Sequence, residues 1–284
     1  MKSLVLFIFL ISTVYSAHIN FRNYHEEIGI PLATKVKQLE AEAIAKLSSN
    51  GRIAGGSLID ISAVPYQAAV VIHLPTNTDS LCGGALISST RVVSAAHCQR
   101  DDSGYTIGLG SNFAFSGGVR VAVTNFIMHP GYSHSDWTLI HDIAMIHIPA
   151  VSFTNAIQPI SLPNSAEVAN NFAGQIAVAS GYGITPEIPT LTWDQVLRAV
   201  DLQIITPAQC GSSYGDLGAR NETICTHGSG GVGPCSSDSG GPLTTFSNNR
   251  RILIGITSFG QTCGATSPNG FVRITQYLSW ILSN

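Results

Sequence analysis

From residue 53 onward the chain reads as an all-β protein, and three observations predict it. Apolar and β-branched residues gather in short runs, Gly, Pro, Ser and Asn fill the intervals, and helical spacing is confined to the tail. With 284 residues, 44% of them hydrophobic, the chain has ample material for a buried core.

The elements follow in order. The chain opens Met1-Lys2 and runs apolar from Leu4 to Val14, which matches a secretory signal peptide, with cleavage expected after Ser16 or alternatively after Ala17. A membrane anchor would need about 20 apolar residues, so this run is too short to be one. Residues 17–52 hold no cysteine, and within them Thr34 to Leu47 has helical spacing that puts Leu39, Ala43 and Leu47 on one side. This stretch reads as a removable activation peptide with a short, weakly apolar helix that covers part of the surface, not as a second domain. The expected organisation is a leader at 1–16, an activation peptide at 17–52 and one domain at 53–284.

Within that domain, strand-like runs lie at Gln67 to Leu74, Val119 to Val123, Ile143 to Ile148, Gln175 to Ala179 and Ile252 to Ser258. Pro75-Thr76-Asn77 and Asn248-Asn249 are turn signals between them. In the tail, Ile274, Tyr277, Leu278 and Ile281 are spaced for one buried helical face. No internal repeat is visible.

All six cysteines follow Gly51, which fits an exported chain with three disulfides. Spacing alone leaves 15 connectivities open. No close C-x2-C pair suggests a zinc site, and no metal or cofactor is expected.

Three motifs carry chemistry: Ala95-Ala96-His97-Cys98, His141-Asp142-Ile143-Ala144 and Cys235-Ser236-Ser237-Asp238-Ser239-Gly240-Gly241-Pro242. Amide hydrolysis needs a nucleophile, a base near neutral pKa and a group that fixes the base's tautomer, roles that Ser, His and Asp supply. His97 would be the base and later the acid, Asp142 the orienting carboxylate and Ser239 the nucleophile. Among the other histidines, His129, His134, His141 and His147 have no such setting, and solvated or structural roles are expected for them. With the order His, Asp, Ser along the chain, these motifs resemble the chymotrypsin/trypsin family of secreted serine proteases, most of all the chymotrypsin-like digestive proteases of insects such as lepidopteran larvae.

That resemblance implies two packed six-stranded antiparallel β-barrels, about 53–165 and 166–272, with the site in the cleft between them and a C-terminal helix at about 273–283. It also implies pairing of Cys82 with Cys98, Cys210 with Cys225 and Cys235 with Cys263. In Gly51-Arg52-Ile53-Ala54-Gly55-Gly56, a trypsin-like protease would cut after Arg52 and free an ammonium on Ile53, whose partner would be Asp238. The oxyanion hole would be the backbone N–H groups of Ser237 and Ser239. The family usually has Gly where this chain has Ser237, and a Cβ penalises backbone angles that glycine tolerates. Either the hydroxymethyl group projects toward the leaving-group side, or the hole is impaired.

By the same resemblance, Gly233 forms the floor of the specificity pocket, and Ser258, Phe259, Gly260 and Asn269 form its walls. Gly233 stands where a trypsin-like pocket has Asp, so cleavage after Lys or Arg is not expected; large uncharged residues are. Asn269 narrows the pocket or hydrogen-bonds a polar group, which broadens the expectation toward arthropod serine collagenases.

Charge bears on habitat. The whole chain carries −3, but all four lysines precede Ile53, and residues 53–284 hold eight arginines against 13 acidic residues, a net −5. Nothing here favours nucleic acid. Arginine stays protonated far above pH 10, where lysine begins to lose charge, so a lysine-free domain suits a strongly alkaline fluid such as a gut lumen. Asn221-Glu222-Thr223 is a glycosylation sequon. The expectation is a secreted, monomeric digestive serine endopeptidase, made as a zymogen. Its partners would be dietary or extracellular proteins, an activating trypsin-like protease and protein protease inhibitors, with no membrane. A homologue that binds substrates or inhibitors with little or no turnover is the rival, and a regulatory protease of immunity or development is a second one.

Overall fold

Buried strands of Val, Ile and Ala organise the first half of the molecule. A computed structural model describes residues 24–50, 60–100, 104–135, 138–183, 197–228, 233–234, 238–260 and 266–284, with side chains only up to residue 45 in the first stretch. The first sheet contains β1 (Gln67–His73), β2 (Asp79–Ser88), β3 (Arg91–Ser94), β4 (Gly104–Leu109), β5 (Val119–Val123), β6 (Phe126–Met128) and β7 (Ala144–His147), ordered β5-β4-β1-β2-β3-β7-β6. All its pairings are antiparallel. The two end strands of this row are neighbours in the chain, separated by Thr124 and Asn125 alone. They are two pieces of one bent strand that closes a six-stranded barrel, and the His147 N–H bridges the bend to the Asn125 carbonyl at 3.1 Å.

The second half forms a closed barrel of β8 (Ile176–Gly181), β9 (Arg198–Ile205), β10 (Thr223–Thr226), β11 (Pro242–Ser247), β12 (Arg250–Phe259) and β13 (Asn269–Arg273), ordered β10-β13-β12-β11-β8-β9. Its interior is filled by Phe172, Leu202, Leu243, Ile252, Ile254 and Phe271, among others. The stretch between β7 and β8 contains the expected barrel boundary. The architecture is two packed six-stranded antiparallel barrels with a short C-terminal helix.

Polar groups stitch the barrels together. The Ser180 hydroxyl donates to Gln67 Oε1 at 2.7 Å, the Tyr66 hydroxyl lies 3.0 Å from Thr244 Oγ1, and the Tyr182 hydroxyl donates to the Ser111 carbonyl at 2.9 Å. Backbones approach closely as well. A Cβ on Gly83 would lie 2.8 Å from the Gly241 Cα, so only glycine lets β2 run beside the start of β11. The C-terminal segment is a 3₁₀ turn (Ile274–Gln276) followed by the helix Leu278–Ser283, with Ile274, Tyr277 and Ile281 buried.

Helices differ from expectation in two places. The helix expected ahead of residue 53, α1, spans Ile30–Asn50 and is preceded by a π-helical turn at His25–Gly29. It is longer than the expected 34–47, and its buried face comprises Leu32, Ala33, Val36, Leu39 and Ala43. Two short helices, α2 (Pro207–Tyr214) and α3 (Asp216–Ala219), were not expected inside the β domain. Thr206 and Gln209 close a capping box around Pro207, a local signal that starts a helix too short to show periodicity. The final helix, Leu278–Ser283, is α4.

Cys82 is joined to Cys98 and Cys210 to Cys225. Cys235 and Cys263 lie outside the described residues, as do the expected leader and the Arg52-Ile53 bond. Among the described residues no helix is long and apolar enough to cross a membrane.

Phe271 is fully buried on β13. Phe271→Ala, in a Ser239→Ala background that prevents self-digestion, is expected to lose about 3–5 kcal/mol of unfolding free energy. Denaturant titration checks this, and a loss below about 1 kcal/mol, the size of an ordinary substitution, would contradict the packing described for the second barrel.

Candidate active site

Three chain segments far apart in sequence converge where the barrels meet. β3 ends at Ser94 and passes into a 3₁₀ turn, Ala96–Cys98, that carries His97. Asp142 enters from a tight turn just before β7, where Leu139 and His141 hold positive φ angles of 49° and 61° and the Ile143 N–H closes back on the His141 carbonyl at 2.7 Å. Ser239 lies in the turn before β11.

Asp142 is fully buried, and an ionised carboxylate there must be compensated. Its Oδ1 accepts the His97 backbone N–H at 2.8 Å, and its Oδ2 accepts the His97 imidazole Nδ1–H at 2.8 Å. A third donor was not anticipated: the Ser258 hydroxyl reaches Oδ2 at 2.6 Å. Ser258 was expected only as a pocket wall. The pairing of β12 with β13 shifts register between Thr257 and Phe259, so Ser258 is the extra residue of a bulge. Bulges re-aim side chains in this way. Burial alone would raise the Asp142 carboxyl, but the His97 charge and the three hydrogen bonds outweigh it and hold the group below its ordinary value. An imidazole anchored through Nδ1 presents Nε2 for proton exchange, and the carboxylate behind it stabilises the imidazolium that results.

The turn that holds Ser239 depends on close backbone contacts. Gly240 has φ of 79°, and a Cβ there would lie 2.4 Å from Ser94 Oγ and 2.6 Å from the Gly83 carbonyl. The Ser239 carbonyl accepts the Gly83 N–H at 2.8 Å, which pins the turn to β2 in the other barrel. Asp238 Oδ1 accepts the Gly183 N–H at 3.0 Å, and a Cβ on Gly181 would sit 1.9 Å from that oxygen. The Asp238 carboxylate thus rests in a glycine niche at the end of β8. Ser237 lies outside the described residues.

At the expected pocket, Asn269 faces Gly233: a Cβ on Gly233 would lie 2.4 Å from Nδ2 and 2.6 Å from Oδ1 of that amide. A Cβ on Gly260 would lie 3.9 Å from the same Oδ1. The amide therefore occupies the space between the two glycines. The Phe259 ring packs edge-on against Tyr214 at 5.2 Å and over Gly270, so this buried ring is held in place by its neighbours. Of the other histidines, His129 and His141 stack at 4.5 Å, and His141 Nδ1 lies 3.1 Å from the Tyr277 hydroxyl, a packing role. Cys82 and Cys98 approach His97 closely enough to suggest a metal cluster, but their sulfurs are joined to each other and so are not thiolate ligands. Asn221 of the sequon is exposed.

Residues 44–281 match the Trypsin family. The chain belongs to it. It is 36% identical over 239 residues to Serine protease 1 of Drosophila melanogaster, covering 82% of this chain and 86% of that one. Identity to the Collagenase of Hypoderma lineatum is 34% over 236 residues, covering 82% and 87%. A solved structure of HL collagenase superposes with a TM-score of 0.73 at 34% identity, covering 82% of this chain and 98% of that one. The trypsin-family chain is a serine endopeptidase, whose substrates are proteins.

Ser258→Ala removes one of three donors to a buried carboxylate and is expected to lower kcat about 5- to 150-fold, the equivalent of 1–3 kcal/mol, with KM little changed. The sign with pH follows from the depressed Asp142 carboxyl: its ionised form is stabilised above the ordinary value of 3.8 and lost as pH falls through the lower folded value. Without the Ser258 donor the folded value rises, so the loss of unfolding free energy on acidification, read by denaturant titration across acid pH, begins at higher pH. A profile superimposable on wild type would contradict this role.

Proposed function

We propose that the chain is a secreted digestive endopeptidase, made as a zymogen that is cut after Arg52, and that it cleaves after large uncharged residues in an alkaline fluid. The observation that carries the catalytic reading is the buried His97–Asp142–Ser258 network beside Ser239. In this mechanism His97 Nε2 takes the Ser239 hydroxyl proton as Oγ attacks the scissile carbonyl. The resulting oxyanion is met by the backbone N–H groups of Ser239 and Ser237. His97 then gives its proton to the leaving amine, and water enters by the reverse path to hydrolyse the acyl-enzyme.

Activation at Arg52 is supported by the niche around Asp238. The carboxylate already takes one backbone N–H, and the new Ile53 ammonium would supply full charge compensation. An uncharged preference is supported by Gly233, Gly260 and the Asn269 amide that faces both. Asn269 shortens the pocket, which fits Leu, Met, Phe or Tyr in varying degree, as a collagenase-like breadth would require. The lysine-free domain supports the alkaline habitat.

The test is to cut the purified full chain after Arg52, remove the segment that precedes the cut, and profile cleavage of a mixed peptide library from neutral pH to about pH 11, the range over which lysine but not arginine discharges. Ser239→Ala serves as the control. Cleavage after Tyr, Phe, Leu or Met, sustained to high pH, is expected. Cleavage after Lys or Arg would overturn the pocket reading, and no cleavage at all would favour the substrate-binding alternative. Asn269→Gly is expected to shift preference toward the largest aromatic residues by opening the pocket.

A further inference from the structure

A base and a nucleophile must meet substrate, yet the His97 side chain has 0% exposure and Ser239 only 8%. Part of what encloses them comes from ahead of the catalytic domain. The Tyr24 ring stands edge-on to the His97 imidazole with centroids 4.9 Å apart. Its hydroxyl donates to the Leu81 carbonyl at 2.7 Å, lies 3.5 Å from Cys82 Sγ and sits close to the Ser239 side chain. Tyr24 is itself 1% exposed. A scissile peptide group must reach Ser239 Oγ while its leaving nitrogen faces His97, and the phenol stands against both of those side chains.

The segment behind Tyr24 is fastened at separate points. His25 Nδ1 lies 2.9 Å from Ser80 Oγ, and Glu26 pairs with Arg100. Lys37 pairs with Asp79 at the start of β2 and lies 5.1 Å over the Phe115 ring. Farther along α1, the buried Glu40 carboxylate accepts the Ala114 N–H at 2.5 Å, the Phe115 N–H at 3.1 Å and the Ser116 hydroxyl at 3.0 Å. A buried carboxylate held by two backbone N–H groups and a hydroxyl is a specific receptor contact, not a loose surface one. Residues 24–43 precede the trypsin-family match, which begins at residue 44.

We infer that residues 24–45 are a built-in inhibitor: Tyr24 closes the catalytic site from the β2 side, and α1 docks on a surface made by β2 and the 114–116 loop. This rests on reading His97 and Ser239 as base and nucleophile. Residues 1–52 contain no cysteine, so no disulfide tethers the segment once Arg52 is cut, and its affinity alone keeps it in place. Cutting Arg52 is therefore not sufficient for activity, and the segment must also leave. All four lysines of the chain lie ahead of Arg52, so a protease that cuts after basic residues can sever the bond and also dismantle the helix.

The experiment compares full chains cut after Arg52, with mass spectrometry confirming that residues 24–52 remain intact. Wild type, Tyr24→Ala and Glu40→Gln are each reacted with a small phosphonylating probe of Ser239. A site closed about nine-tenths of the time reacts about tenfold slower, so wild type is expected to lag both variants by at least that factor. Synthetic peptide 24–45 is expected to slow the Tyr24→Ala/Glu40→Gln double form again, and the same peptide carrying Tyr24→Ala is not. Equal, fast labelling of all forms with no effect of peptide would overturn the inference and leave the protease reading standing. No labelling of any form would overturn both.

Discussion

The buried negative charge of Asp142 is the constraint on which the rest of the site depends. A carboxylate at that depth is tolerated only with its oxygens satisfied, and the chain draws its donors from both barrels. His97 comes from the turn after β3, Asp142 from the turn before β7, and Ser258 from a bulge in β12. The carboxylate thereby helps hold the two barrels in register at the site. The Gly83 N–H bond to the Ser239 carbonyl crosses the same boundary, so Ser239 and His97 are set relative to one another by backbone as well as by side chains.

Glycine makes this convergence possible at a few positions. Gly240 adopts a left-handed conformation that presents Ser239 between barrels, and Gly83 lets β2 pass close to Gly241. Gly181 and Gly183 leave room for the Asp238 carboxylate. The turn that holds Ser239 is thus enclosed by backbone on several sides. The trypsin family supplies this framework, and the added segment carrying Tyr24 sits directly on it.

Much of this was legible in the sequence, and what was not has physical reasons. β1, β5, β7, β8 and β12 show as short runs dominated by apolar or β-branched residues. In β2 the Cys82-Gly83-Gly84 centre interrupts such a run because close backbone approach, not packing of large side chains, decides those residues. The His97 and Asp142 motifs could be read because their neighbours are distinctive. Ser258 could not, since its partner Asp142 is 116 residues away and its direction depends on a bulge. Tyr24 and Glu40 gave no signal for the same reason. The weak apolar stripe read from Leu39 and Ala43 concealed a longer helix whose docking depends on Lys37, Glu40 and Tyr24, polar or amphipathic residues that periodicity does not weigh.

In the proposed mechanism the Asp142-anchored imidazole activates Ser239 and no other hydroxyl. It is tested most directly by mixing the chain, cut after Arg52 and freed of the preceding segment, with an activated acyl ester and mapping the product by mass spectrometry. One acyl group per molecule is expected, on Ser239, and none in His97→Ala. Acylation at another residue, or equal acylation of Ser239 without His97, would contradict it.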